Sequence, residues 1–133
     1  MKHAAPPTTE PDWHVLGTGS MACLWAANLA ACGHAVAMIA RTSARLEAYH
    51  GITLETAAGD ERYQVLPETH DSGTRIARLL VCTKAPDVLA SLVTIRHRLR
   101  PDAVVVLLQN GMGFHDEALA SIGRAQLFCA LST

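Results

Sequence analysis

Trp13 to His34 reads WHVLGTGSMACLWAANLAACGH, and this stretch decides the fold. Trp13 to Leu16 is a short apolar run of the kind that forms a buried parallel strand, and Gly17 ends it. Ser20 to Cys32 is rich in helix-favouring Ala, Leu and Met. Gly33 follows as the glycine that closes a helix at its C-terminus. His34 to Ala40 (HAVAMIA) is a second strand-like run, and Arg41 stands at its end. The segment therefore spells strand, glycine turn, helix, strand.

Gly17-Thr18-Gly19-Ser20-Met21-Ala22 fits the pattern G-x-G-x-x-G/A. The bare pattern is weak, but here it follows a strand and opens a helix, which is the context that gives it meaning. Gly17 permits the tight turn out of the strand. Gly19 lacks a side chain, so a pyrophosphate can approach the backbone, and Ala22 allows close helix–strand packing. The free N–H groups and the positive dipole end of the helix then face the phosphates. The Ser20 hydroxyl and N–H suit phosphate contact; G-x-S-x-G, the setting of a hydrolase nucleophile, is absent. The loop from Gly17 to Ala22, with Thr18 and Met21 inside it, is the candidate cofactor-binding segment.

Units that bind NAD usually carry Asp or Glu at the end of the second strand, bonded to the ribose 2′-hydroxyl. Arg41 occupies that place. A carboxylate repels a 2′-phosphate and a guanidinium binds it in fork geometry, so Arg41 favours NADP. Arg45, one helical turn on, is placed to add charge to the same pocket.

Outward from this unit, strands and helices alternate. Thr42 to His50 reads as a short helix, and Gly51 to Leu66 as two short strands around a Gly59-Asp60 turn. Asp71 to Arg78 is ambiguous, with a brief helix as one reading. Leu79 to Thr83 is a buried strand, and Pro86 opens a helix running to about Arg98. Pro101-Asp102 reads as a turn, Ala103 to Leu108 as the clearest strand, Phe114 to Ile122 as a helix, and Ala125 to Leu131 as a last strand. Such alternation implies parallel pairing with right-handed crossovers, a doubly wound α/β sheet of Rossmann type. Met1 to about Asp12 reads as a disordered tail before a single domain over 13–133.

Composition excludes several classes. The net charge of −1, with no basic block, gives no attraction to nucleic acid or to an anionic membrane. The N-terminus lacks the apolar core of a signal peptide, and no apolar run reaches membrane-spanning length, so a cytoplasmic setting is expected. Cys23, Cys32, Cys82 and Cys129 show no CxxC spacing and read as small buried thiols. The seven histidines show no HExxH pattern, and no metal site is expected. His14, His34 and His50 have no evident carboxylate partner and read as structural. Met21, Trp25 and Leu29 form a helical stripe suited to core packing or to contact with a second domain.

Lys84 and Asn110 both follow the C-terminal ends of expected parallel strands, where ligands of open α/β sheets bind. Together GTGSMACLWAANLAACGH, Arg41, VCTKAPDV (Val81 to Val88) and LLQNGMG (Leu107 to Gly113) resemble the ketopantoate reductase (2-dehydropantoate 2-reductase) family, over about Trp13 to Thr133. The resemblance implies NADPH as cofactor, contacts to it from Lys84 and Asn110, and a 2-keto acid substrate that Asn110 borders. It implies hydride transfer to ketopantoate, giving pantoate for coenzyme A synthesis. Two departures from the family pattern stand out: Ala22 ends the glycine motif, and Gln109 stands where the family often has His. The family's proton-donating lysine lies in a helical C-terminal domain, so no catalytic residue is expected in this chain and it is expected to be inactive alone. A surface bared of that domain would favour self-association. Two other readings stay open: a stand-alone or decayed NADP-binding module, and the cofactor domain of a related 2-keto acid reductase.

Overall fold

A computed structural model describes residues 10–42, 51–71, 73–109, 113 and 115–130. The chain folds around one six-stranded sheet. Its strands are β1 (Trp13–Leu16), β2 (Val36–Ala40), β5 (Leu66–Thr69), β6 (Ile76–Val81), β7 (Leu99–Leu107) and β8 (Gln126–Cys129). A separate antiparallel hairpin joins β3 (Ile52–Thr56) to β4 (Gly59–Tyr63). The α-helices among the described residues are α1 (Ser20–Ala31), α2 (Val88–Ile95) and α3 (His115–Ser121). Every pairing in the large sheet is parallel, in the order β5-β2-β1-β6-β7-β8. Counting only its own strands, that is the 3-2-1-4-5-6 order of the Rossmann fold, with the reversal of direction between β1 and β6.

Alternation along the strands divides the core in two. Leu16, Ile39, Leu79 and Val81 face α2 and α3 and pack with Val88, Leu92, Ile95 and Ala118. Val15, Val36, Met38 and Leu80 face α1 and the hairpin. The buried stripe of α1 is alanine: Ala22, Ala26, Ala27 and Ala30. Small side chains let the helix axis lie close to the sheet, which holds the start of α1 beside the end of β1. The Met21 and Trp25 part of the expected stripe turns outward, each about two-fifths exposed, and core packing is not its role. Gly33 ends α1 as expected. Its φ is +91°, its N–H reaches the Ala30 carbonyl, and the His34 N–H reaches Leu29, the paired bonds of a Schellman cap.

Several local expectations are corrected. The hairpin turn is Ala57-Ala58, and Gly59 and Asp60 already belong to β4. The ambiguous stretch from Asp71 holds no helix among its described residues, and β6 begins at Ile76, three residues early. Pro101-Asp102 is no turn but lies inside β7, where the register to β6 slips between Ile76 and Arg78. An irregularity of this kind spares proline a ladder bond. Strand β5 has no clear signal, since Pro67 and Glu68 break its apolar run. The helix expected over 42–50 lies outside the described residues, apart from Thr42. The thiols are free, but only Cys23 and Cys82 are part-buried; Cys32 and Cys129 are exposed.

The expectation of partnerless histidines also fails. His14, in β1, is fully buried with Nε2 3.2 Å from Glu68 Oε1 and 2.9 Å from Thr74 Oγ1. Thr74 donates its hydroxyl to Glu68 Oε2 at 2.9 Å. Arg98, past the end of α2, pairs with Glu68 and also donates to the carbonyls of Thr69 and Thr74. A Cβ on Gly73 would collide with Glu68 Oε1 and Arg98 Nη2, so glycine is required there, where φ is +136°. Burial alone would raise the Glu68 pKa. The contacts from His14, Thr74 and Arg98 outweigh it and hold the carboxyl below its ordinary 4.5. His34, at the surface, lies 3.8 Å from Asp12.

Candidate functional site

The site is built from the C-terminal ends of the strands. Gly17 leaves β1 with φ +123°, a backbone conformation open to glycine and strained for other residues. Its N–H bonds to the Ile39 carbonyl at 3.1 Å, and a Cβ there would stand 3.5 Å from the Cys82 backbone and 3.6 Å from Ala22 Cβ. The turn is thus wedged between β2, β6 and α1. Gly19 differs: its φ is −74°, and a Cβ on it would meet nothing within 4 Å. Space above Gly19 is open to a ligand. Gly19 is also the N-cap of α1, with no side-chain cap and no acidic residue in the first turn. The first N–H groups of a twelve-residue helix therefore face the cleft uncompensated.

The cleft beside the loop has a volume of about 330 Å³. Of the expected residues, Gly17, Thr18, Gly19, Arg41 and Lys84 all line it. Ala22 is buried beneath the loop, while Ser20 and Met21 are exposed at the start of α1. Arg45, His50 and Asn110 lie outside the described residues. Arg41 extends from the end of β2, with Nη2 3.9 Å from Asp87 Oδ1; both side chains are at least half exposed. Such a pair holds by less than about 1 kcal/mol, so the guanidinium is readily surrendered to a better anion.

Sequence reasoning missed six further lining residues: Ile39, His70, Cys82, Thr83, Asp87 and Ser91. His70 follows β5, whereas Thr83, Asp87 and Ser91 lie together in the stretch 83–91 after β6; Thr83 and Asp87 fall within the VCTKAPDV motif, but the motif alone does not mark them as lining residues. Gln109 is a strut. Its buried amide donates to the carbonyls of Val81 at 2.8 Å and Thr83 at 2.7 Å, closing the ladder where β6 runs out. Cys82 lines the cleft but is no nucleophile. Burial, with a smaller push from Cys23, drives its thiol up to about 12.

The comparisons with known proteins bear on this geometry. The family described as Ketopantoate reductase PanE/ApbA matches residues 13–133. The chain belongs to the ketopantoate reductase family. Among solved structures, a PanE/ApbA family ketopantoate reductase from Ralstonia eutropha JMP134 is 28% identical, with a TM-score of 0.73 over 88% of this chain and 40% of that one. A 2-dehydropantoate 2-reductase from Methylococcus capsulatus shares the fold at 24% identity and a TM-score of 0.75, over 91% of this chain and 40% of that one. A D-mandelate dehydrogenase solved with NADH and anilino(oxo)acetate shares it at 17% identity and a TM-score of 0.74, over 86% of this chain and 39% of that one. The chain thus spans about two-fifths of the length of the ketopantoate reductase structures it matches. Family membership makes it kin to oxidoreductases of the ketopantoate reductase type. No helix among its described residues is long and apolar enough to cross a membrane.

Proposed function

We propose that residues 13–133 are the NADP-binding domain of a reductase that converts a 2-keto acid, 2-dehydropantoate, to its 2-hydroxy acid in the route to pantothenate and coenzyme A. The observation that carries the reading is the meeting of an open glycine loop with Arg41 and Lys84 in one cleft at the reversal point of the sheet. The residues fit the cofactor. The uncapped start of α1 suits the pyrophosphate, the open space over Gly19 lets it approach, and Arg41 suits a 2′-phosphate. Lys84, exposed just after β6, lines the cleft and adds a second cation to it.

The bound dinucleotide would supply the hydride, and the chain's own residues bind and orient it. Asn110, next to the Gln109 strut, is assigned to the nicotinamide and substrate end on the family's pattern. The proton donor is assigned, on the same basis, to the part of the relatives that this chain does not span. A cytoplasmic setting follows from the pathway. Met21, Leu24 and Trp25 of α1, with Leu119 and Phe128, are exposed apolar groups of the kind that a second domain or a second copy covers.

The test is titration of the purified chain with NADPH and with NADH, followed by calorimetry or by the fluorescence of Trp13, which sits at the start of β1. NADPH is expected to bind more tightly by at least about tenfold, the worth of one charge-assisted contact. Equal binding of both sinks the NADP assignment; binding of neither sinks the dinucleotide reading. Gly19→Ala separates cofactor from fold. No protein atom crowds the new methyl, so stability should move by less than about 1 kcal/mol. The pyrophosphate loses its approach to the backbone, so NADPH affinity should fall by about tenfold or more. Unchanged affinity would place the phosphates elsewhere.

A further inference from the structure

His70 follows β5 and stands in the wall of the same cleft as Gly19, Arg41 and Lys84. Neither the glycine motif nor the family resemblance assigns it a role. Two hydrogen bonds set its tautomer. The Thr94 hydroxyl donates to the Ser91 carbonyl at 2.7 Å. A hydroxyl has one proton, so Thr94 Oγ1 must accept from His70 Nδ1, also 2.7 Å away. Nδ1 therefore carries the proton of the neutral ring. Nε2 keeps its lone pair, and among the described residues it makes no hydrogen bond.

The charges around the ring come from four sides. Arg41, at the end of β2, and Arg98, past α2, disfavour a second proton; Asp71, next in the chain, favours one. Lys84 and Asp87 line the same cleft from the segment after β6, while Glu68, two residues before His70, is engaged by Arg98 and His14. Burial first, then the two guanidinium groups, hold His70 below its ordinary value. The neutral form of the ring is thus favoured in the free protein.

A phosphate monoester entering beside Arg41 reverses this balance. It carries close to two negative charges at neutral pH, cancels the guanidinium, and presents oxygens that accept hydrogen bonds. Protonation of Nε2 then yields a charged donor facing an anion. Resting on the NADP reading above, we propose that His70 is a proton-taking contact for the 2′-phosphate. It makes the binding of NADP tighten as pH falls from about 8 to about 6.5, while NAD binding stays level. The 2′-phosphate would thus be gripped by Arg41 from one wall and by His70 from another.

The experiment is calorimetry on the whole chain with NADP⁺ and with NAD⁺, at two pH values and in two buffers of different ionisation enthalpy. The wild type is expected to take up a fraction of a proton with NADP⁺ and none with NAD⁺, and to bind NADP⁺ about fivefold more tightly at the lower pH. His70→Asn keeps an N–H for Thr94 but loses the Nε2 contact. It should bind NADP⁺ about five- to tenfold more weakly at the lower pH, with a flat profile and unchanged NAD⁺ affinity. His70→Gln places an uncharged N–H near the Nε2 position, so it should recover part of the affinity while staying flat. Wild-type affinity and wild-type pH profile in His70→Asn would overturn the role of His70 and leave the dinucleotide site standing. Equal proton uptake with both nucleotides would overturn it even if the variants failed to fold. Binding of neither nucleotide by the wild type would remove both readings together.

Discussion

Arg98→Met is expected to destabilise the chain by about 3–5 kcal/mol at neutral pH, the cost of leaving a buried charge without its counter-ion. Arg98 and Glu68 are each about 95% buried. In the wild type the carboxylate is met by the Arg98 guanidinium, by His14 Nε2 and by the Thr74 hydroxyl. Met fills similar volume but donates nothing, and the carbonyls of Thr69 and Thr74 lose their donor as well. A domain of this size is stable by only about 5–15 kcal/mol, so the variant should show a large fall in its urea midpoint.

The pH dependence gives the mechanism its own check. The folded-state pKa of Glu68 lies below its unfolded value, so the stabilisation it gives is fully present above about 4.5 and is lost as pH falls through the folded-state value. Without Arg98 the carboxyl takes up its proton at higher pH, and a protonated Glu68 no longer needs a counter-ion. The deficit of Arg98→Met should therefore be widest at neutral pH and narrow in acid. A deficit independent of pH would mean that packing, not charge, holds this corner. Arg98→Lys keeps the charge without the fork, and should fall between the two.

Arg41→Ala is expected to weaken NADPH binding by about 10- to 100-fold, the worth of charge-assisted hydrogen bonds to a phosphate, and to leave NADH binding nearly unchanged. The free protein gives up little, because the exposed Arg41–Asp87 pair is long, at 3.9 Å. Stability should therefore hold, and the loss should appear only with the phosphorylated nucleotide. The salt dependence of NADPH binding should also flatten, since one screened charge pair is gone. Equal losses for both nucleotides would show that Arg41 supports the adenosine rather than its phosphate.

The two variants probe parts of the protein that differed in how readily they could be read. Sequence alone determined the strand–loop–helix–strand unit, because its information is local. An apolar run, two glycines at fixed spacing, a stripe of alanine and a closing glycine each act within a few residues of one another. Arg41 was legible for the same reason, since its place is counted from the end of a strand. The parallel, doubly wound class followed from the alternation of elements.

Tertiary structure decided the rest. Strand β5 hides behind Pro67 and Glu68, and Glu68 enters the core only because Arg98, 30 residues on, arrives with His14 from β1 to meet it. No window of sequence contains that pairing, and the same residues alone read as surface charge and idle histidine. Met21 and Trp25 were placed outward by a competitor of smaller size, since alanine lets α1 approach the sheet as the glycine turn requires. His70, Asp87 and Ser91 joined the cleft because parallel strands deliver all their C-terminal ends to one edge. Local propensity reports which segments can be strands and helices; which side chains meet depends on strand order and register, and these are set by packing across the whole sheet.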